Sequence, residues 1–442
     1  MAAIDASQYA EITIESTVDR SKTVDIRLGV VSIDYYEDIF SPTVTAKMIV
    51  INTGNAVQGD DPDQTQSLYH GLPLRGGERV SLRIEGNSDN NPGLDFSSDP
   101  SLYMYVSNIS NIVSEGEKES FVLSLTTREA ITNETSRVGE KYPSSSTLSS
   151  SAEKIIREKI LTPRRINVDP TQNKYGFIGN LRKPFTVLTW MASRGVPDIS
   201  EKDATAGYVF YQTATSYNFR SIDKLMKEPP KATYIYSTGA PNNVGSGEDF
   251  KILKYITNKN QNLVENLRLG TYSSQRFFFN PLTFTINDPV QGIFNSQNYS
   301  GKVVNLGKDI RIPSLNETAD KSIADFPTRI ISQFLDVGTL EKGVERDATN
   351  SDPAKYQSQT SMRYNTLMTQ SMTMTIPSNT SLEAGNIIEC VFPKTTIGKK
   401  REDDVEQSGL YMIKELCHHF DTENSFTSLK LVRDTYGKST TV

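Results

Sequence analysis

Leu382-Glu383-Ala384-Gly385-Asn386-Ile387-Ile388 is followed by Leu410-Tyr411-Met412-Ile413, then by Ser425-Phe426, Leu429-Lys430-Leu431 and Arg433-Asp434. The same order of blocks stands near the N-terminus: Leu74-Arg75-Gly76-Gly77-Glu78-Arg79-Val80, Leu102-Tyr103-Met104-Tyr105, Ser120-Phe121, Leu123-Ser124-Leu125 and Arg128-Glu129. The first two blocks recur 308 positions apart, and the Ser-Phe and Arg-acid pairs 305 apart. One short block could recur by chance, whereas several in one order at a near-constant offset argue for duplication. The period is far too long for a solenoid repeat, so two related domains are expected.

Each copy carries strand chemistry. Gly76-Gly77 and Ala384-Gly385 supply the permissive backbone of a tight turn entering a strand. The strand pairs then read Glu78 to Ile84 with Leu102 to Val106, and Asn386 to Phe392 with Leu410 to Leu416. Leu123 and Leu125 flank Ser124 as Leu429 and Leu431 flank Lys430, the period-two pattern of a half-buried strand. The linkers between the paired strands, Glu85 to Ser101 and Pro393 to Gly409, are equally long and share no sequence. Matching strands with divergent loops point to one barrel or sandwich frame used in two local environments.

Working outward, Ile12 with Ile14, Val24 to Leu28 and Val44 to Ile51 read as strands. Tyr36 to Pro42 is a turn-forming break, since Pro42 cannot donate to a ladder. The counterpart of Val44 to Ile51 in the second copy is Met372 to Ile376, stopped by Pro377. Between the copies the character changes. After a serine-rich linker over 144–151, Ser150 and Glu153 stand at capping-box spacing ahead of Ile155, Ile156 and Ile160. Pro184 opens a second helix, with Val187, Leu188, Met191 and Ala192 on one face and Gly195 as its stop. Tyr208 to Gln212 and Tyr217 to Phe219 read as a hairpin leading into Ser221 to Leu225. Further on come strands at Arg276 to Phe279 and Leu282 to Ile286, a polar loop from Arg346 to Gln359, and a short helix from Met362 to Met368. The expected fold is mainly β with an α+β middle region. Two related β-barrel tube domains would span 1–135 and 356–442, around a middle region 136–355 that can lend strands to the second barrel.

At 442 residues the chain is long enough for two to four domains with real cores. A net charge of −6 and a pI near 5.4 argue against sequence-specific nucleic-acid binding through a basic face. No apolar run approaches the roughly 18 residues that span a bilayer, and the N-terminus lacks signal-peptide features. Synthesis and assembly in a cytoplasm are expected, where Cys390 and Cys417 would not form a disulfide framework.

Three stretches carry a family resemblance: Tyr36 to Pro42 with Leu72 to Val80; Gly207 to Tyr211, running to Phe219 and Ser221-Ile222-Asp223; and Ser408 to Ile413 with His418 to Asp421 and Thr427 to Tyr436. In these the chain resembles phage tail hub proteins, in particular the central baseplate hubs of T-even-type contractile phages and their cyanobacterial-phage relatives. The resemblance implies a homotrimer in which each chain contributes two tube domains, giving six quasi-equivalent positions that let a threefold spike meet a sixfold tail tube around the DNA channel. It also implies a virion location in the tail baseplate, with assembly in the host bacterial cytoplasm. The partners would be a separate central spike protein, a tail tube or tube-initiator protein and baseplate wedge proteins. Alternatives on the same β frame are a tail-associated enzyme that degrades cell wall and the hub of a bacterial contractile injection system.

Chemistry-bearing residues are sparse. His70, His418 and His419 are the only histidines. Cys417 and His419 share a strand face that Cys390 could approach from the neighbouring strand, but no paired CxxC supports a metal, and the plainer reading is core cysteines beside barrel-covering histidines. No GxSxG, HExxH or GxxxxGK[ST] occurs. Glu37-Asp38 and Asp403-Asp404 are acid pairs, yet adjacent carboxylates on a strand point to opposite faces and those on loops are solvated. Lys399-Lys400-Arg401 runs straight into acidic residues, as a solvated loop does. Phe277-Phe278-Phe279 reads as core or subunit interface rather than a ligand shelf. The expectation is a structural assembly protein without catalytic, metal or cofactor residues.

Overall fold

The alternating stretches of the N-terminal third become strands β1 (Gln8–Glu15), β2 (Val30–Asp38), β3 (Thr45–Asn52), β4 (Arg79–Ser88), β5 (Met104–Glu115) and β6 (Lys118–Thr127). This computed structural model describes the chain from Asp5 to Gly437, apart from 19–21, 53–56, 59–63, 90, 117, 199–204, 237–247, 260, 291, 300–303, 309–311, 313–320, 337–352 and 395–401. One face of these strands is apolar. Ile12 and Ile14, Met48 and Val50, Val80 and Leu82, and Leu123 and Leu125 share one core, each worth roughly 1.5–3 kcal/mol relative to exposure. The strands run β2-β3-β6-β5-β4-β1.

The middle region adds helix α1 (Leu148–Ile155), helix α2 (Pro184–Ala192), and the hairpin of β7 (Tyr208–Gln212) and β8 (Ser216–Ser221), which pack into a second core. It then supplies β9 (Thr233–Ile235), β10 (Lys254–Lys259) and β11 (Ser273–Asn280). Helix α3 (Pro353–Leu367) leads into β12 (Gln370–Pro377), β13 (Ile387–Val391), β14 (Gly409–Asp421) and β15 (Ser425–Arg433). Here the order is β10-β12-β15-β14, with β13 beside β14 and β9 beside β13.

Two four-strand runs therefore match: β3-β6-β5-β4 and β12-β15-β14-β13. Their registers match as well. Tyr105 faces Thr126, Val106 faces Leu125 and Asn108 faces Ser124 across a bulge at Ser107. Met412 faces Val432, Ile413 faces Leu431 and Glu415 faces Lys430 across a bulge at Lys414. Adding 307 to every β5 number and 306 to every β6 number converts the first set into the second. β4 and β13 keep the offset of 308 that the sequence gives: Arg79 faces Tyr105, and Ile387 faces Met412. The entry turns agree too. Gly77, at φ 89°, donates to Val106 O at 2.7 Å, and Gly385, at φ 90°, donates to Ile413 O at 2.8 Å, both in the left-handed region that glycine tolerates.

Several expectations need correction. The Ser-Phe pairs are out of step by one residue: Phe121 is buried while Phe426 is only half-buried. Tyr36-Glu37-Asp38 belongs to β2, so the break begins at Ile39. Val24 to Leu28 holds only the short strand Thr23–Asp25 before a 3-10 turn that leaves Leu28 in solvent. Helix α1 starts earlier, capped by the Thr147 hydroxyl, which accepts from Ser150 N at 3.3 Å, rather than by Ser150. Leu282 to Ile286 contains only the two-residue strand Thr285–Ile286. Residues 353–359, expected as loop, form the first half of α3, whose second half covers the expected Met362–Met368 helix; 346–352 lie outside the described residues.

Candidate assembly surfaces

The sheets of the two frames are joined through one strand. β14 pairs with β13 over its first part, Gly409 to Met412, and with β2 over its second, Glu415 to Asp421. This joins the strands of both frames into a sheet of 14 strands among the described residues. Phe420 of β14 packs into the core of the first frame.

On the inward face of this junction Glu37 is almost fully buried. Its carboxylate accepts from Tyr35 Oη at 2.9 Å, Ala214 N at 2.7 Å and Ala384 N at 2.9 Å, so it ties the first frame to the middle region and the second frame at once. Burial, reinforced by the nearby Glu383 charge, pushes its pKa up to about 8. His418, opposite Tyr35 on the same face, is buried too, stacked on Tyr35 with centroids 6.0 Å apart and with Nδ1 2.9 Å from Thr427 Oγ1. Burial pushes its pKa down to about 4, which keeps the ring neutral. On the outward face His419 contacts Asp34 Oδ1 at 2.6 Å and Asp421 Oδ2 at 3.2 Å, and the bond to Asp34 holds its pKa above the ordinary imidazole value.

The residues weighed for chemistry do not converge. Cys390 faces Gly409, whereas Cys417 lies eight residues further along β14, roughly 25 Å away along an extended strand. Cys390 is fully buried against Met374, and Cys417 lies beside Asp34. His70 sits on the short helix Leu68–Gly71, and its side chain is outside the described ones. Asp38 pairs with Lys414 at 2.9 Å on the face opposite Glu37. Asp404 caps a turn by accepting from Glu406 N and Gln407 N, and Lys399-Lys400-Arg401 lies outside the described residues. Phe278 is buried, while Phe279 meets the exposed rings of Phe284 and Phe334 edge-on. Among the described residues no group of three or more His, Cys, Asp or Glu side chains could hold a metal ion. No helix there is long and apolar enough to cross a membrane.

Two buried ionic groups fasten the frames to the middle region, and the sequence singled out their carboxylates, Asp223, Asp434 and Glu129, but neither arginine. Arg363 of α3, with no exposed surface, pairs with Asp223 and, at 2.9 Å, with Asp434. Arg164 lies 3.8 Å from Glu129, both nearly fully buried. A polar cavity of about 200 Å³, lined by Gln261, Asn266, Thr271 and Tyr436 among others, adjoins the first pair. Its charged groups are matched, Lys308 by Glu406 at 3.2 Å and Asp434 by Arg363.

The remaining features are open strand edges. From Ser107 to Glu115, β5 has β6 on one side and, among the described residues, no strand on the other, because its pairing with β4 ends at Tyr105. Among the described residues β10 has β12 on one side only. Both edges carry apolar side chains in solvent: Val113 is 57% exposed and Ile256 52%. Unpaired edges of this kind invite association.

No protein-family model matches the chain, and no curated protein matches it in sequence. Among solved structures, its fold is similar to that of a tail protein from Neisseria meningitidis MC58, with a TM-score of 0.52, 10% identity and 96% of each chain covered. It is similar also to the 43 kDa tail protein of prophage MuSo2 from Shewanella oneidensis, with a TM-score of 0.51, 10% identity and coverage of 96% of this chain and 98% of that one. At such identity the likeness is one of fold.

Proposed function

We propose that this chain is a structural hub of a phage tail baseplate, in which three copies present six related β frames around a central channel. Residues 1–135 and 356–442 carry the two frames as products of an internal duplication. The middle region, 136–355, braces them and lends β9 and β10 to the second. The observation that carries this reading is the repeated strand order with its repeated register, bulge and glycine turn. The fold shared with two tail proteins along 96% of the chain supports it. A chain with two equivalent frames meets a sixfold tube at both frames while offering threefold symmetry to a spike. Its partners are then a tail tube or tube-initiator protein on one side, a separate spike protein on the other, and baseplate wedge proteins outside. Its role is to hold these together in the virion tail; it carries no catalysis and needs no cofactor.

The test is the mass in solution. Three copies of the 49.2 kDa chain weigh about 148 kDa, and sedimentation of the purified protein should find that species. A monomer at every concentration would sink the hub reading.

A further inference from the structure

The junction inside the chain is a template for one between chains. Within the chain, the outer half of β14 is covered by β2, the strand that flanks the first frame next to β3. By register, β5 is the counterpart of β14, and β10 is the counterpart of β2. Tyr255 of β10 faces Met374 as Ile33 of β2 faces Met48, and Thr257 faces Met372 as Tyr35 faces Ala46. The covered strand of one frame and the covering strand of the other are thus both used. Their counterparts, β5 and β10, are both open among the described residues.

We propose that the outer half of β5 pairs, antiparallel, with β10 of a second copy of this chain. This rests on the duplicated-frame reading above and names the surfaces by which copies meet. The register follows from the internal junction. There Cys417 faces Tyr36 and His419 faces Asp34, and Ser110 stands for Cys417, as both face equivalent residues of β6 and β15, Val122 and Ser428. β10 skips Asn258 in its pairing with β12, so Lys259, facing Ser371 as Tyr36 faces Thr45, is the counterpart of Tyr36, and Ser110 of one copy faces Lys259 of the next. β5 then carries one extra residue at Asn111–Ile112, where Asn111 has φ 54°, and regains its pairing with Val113 opposite Ser120. Val113 stands for His419 and faces Ile256, the counterpart of Asp34. Two residues on, Glu115 faces Lys254.

The side chains agree with that register. The internal junction fills its outward pair with a polar contact, His419 to Asp34 at 2.6 Å. The corresponding pair between copies joins two exposed β-branched residues, Val113 and Ile256, and the next outward pair joins a carboxylate to an ammonium. Cross-strand pairs of both kinds are favourable. Because β5 and β10 lie on different frames of one chain, the contact is heterologous, and it closes into a ring when the rotation between copies allows. It covers both open edges in every copy.

The test is cysteine cross-linking of the full chain. Directly facing residues of an antiparallel pair have Cα atoms roughly 4.5–5.5 Å apart, within disulfide reach, and diagonal neighbours do not. In a Cys417→Ser background, Val113→Cys combined with Ile256→Cys should give a disulfide ladder reaching three chains on a non-reducing gel. Either cysteine alone, or Val113→Cys with Lys254→Cys, should run as single chains. A trimer by mass that forms no ladder, or that cross-links equally well through the Lys254→Cys pair, would overturn this pairing and leave the hub reading standing. A monomer at every concentration would overturn both.

Discussion

β5 and β14 are one strand in two situations. They share a register against β6 and β15 and a bulge at Ser107 or Lys414. They part beyond it, where β14 runs Glu415-Leu416-Cys417-His418-His419-Phe420 under β2 while β5 runs Asn108-Ile109-Ser110-Asn111-Ile112-Val113 along an open edge. The covered strand buries a neutral histidine and a phenylalanine, and its neighbour buries a carboxyl held by three donors. The open strand puts Ile112 and Val113 into solvent. The difference teaches that the frame is set by turns and alternation, and that what lies against it decides the rest.

The ion pairs at the frame ends give the largest expected effect. Arg363 has two buried carboxylates within reach, Asp223 and Asp434, whereas Arg164 has Glu129 at 3.8 Å. Replacing Arg363 by Met strands two buried charges and should cost on the order of 3–5 kcal/mol. Arg164→Met should cost clearly less, because Glu129 keeps the hydrogen bond from Thr162 Oγ1 at 2.7 Å. Urea unfolding of both variants checks the order. Equal losses would mean that the two frames are anchored alike.

The covered junction should also carry a pH signature that the open edge lacks. Glu37 has its folded pKa raised from 4.5 to about 8, so its contribution is present in full below 4.5 and is lost as pH rises through 8. His418 has its folded pKa lowered from 6.5 to about 4, so its contribution is present above 6.5 and is lost as pH falls towards 4. Between about 4.5 and 6.5 the two slopes oppose, and from 6.5 to 8 Glu37 dominates, joined by His419, whose raised pKa acts in the same direction. Thermal melts should therefore show stability falling from pH 6.5 to 8. In Glu37→Gln that fall should shrink to the His419 part, and stability should rise from pH 4 to 6.5. Parallel profiles for parent and variant would show that Glu37 does not titrate in this range.

The repeated frame was legible because its turns and strands leave local marks: Gly77 and Gly385 at left-handed φ, and Leu123 with Leu125 against Leu429 with Leu431. The one-residue slip arose because the Ser-Phe identity outweighed the facing pattern, and register is a property of two strands rather than one. The junction itself was illegible, since Asp34 and His419 stand 385 positions apart. The start of α3 is hidden in the sequence for a different reason. Its buried residues there are Ser358, Gln359 and Thr360, and the helix is held by polar partners, with Arg276 Nε donating to Ser358 Oγ at 2.8 Å and Ala206 N to Gln359 Oε1 at 2.9 Å. A helix buried on a polar face shows no apolar period to find.

The smallest expected effect separates folding from assembly. Val113 and Ile256 are both more than half exposed in the single chain, so Val113→Thr or Ile256→Thr removes little buried apolar surface. Threonine keeps the β-branched shape that strands favour. Each variant should unfold within about 0.5 kcal/mol of the parent when measured as a monomer at high dilution. The internal junction offers the contrast at the equivalent pair. His419→Ala there removes a contact to Asp34 at 2.6 Å and one to Asp421 at 3.2 Å within the folded chain, so its cost should appear in the monomer. Chemical unfolding at high dilution, with sedimentation at higher concentration, distinguishes the two classes. The edge variants should shift only the association, towards smaller species, and the junction variant should shift the unfolding midpoint. A full unfolding penalty for Val113→Thr in the monomer would mean that this edge is already packed within the chain, and the contrast between β5 and β14 would fall.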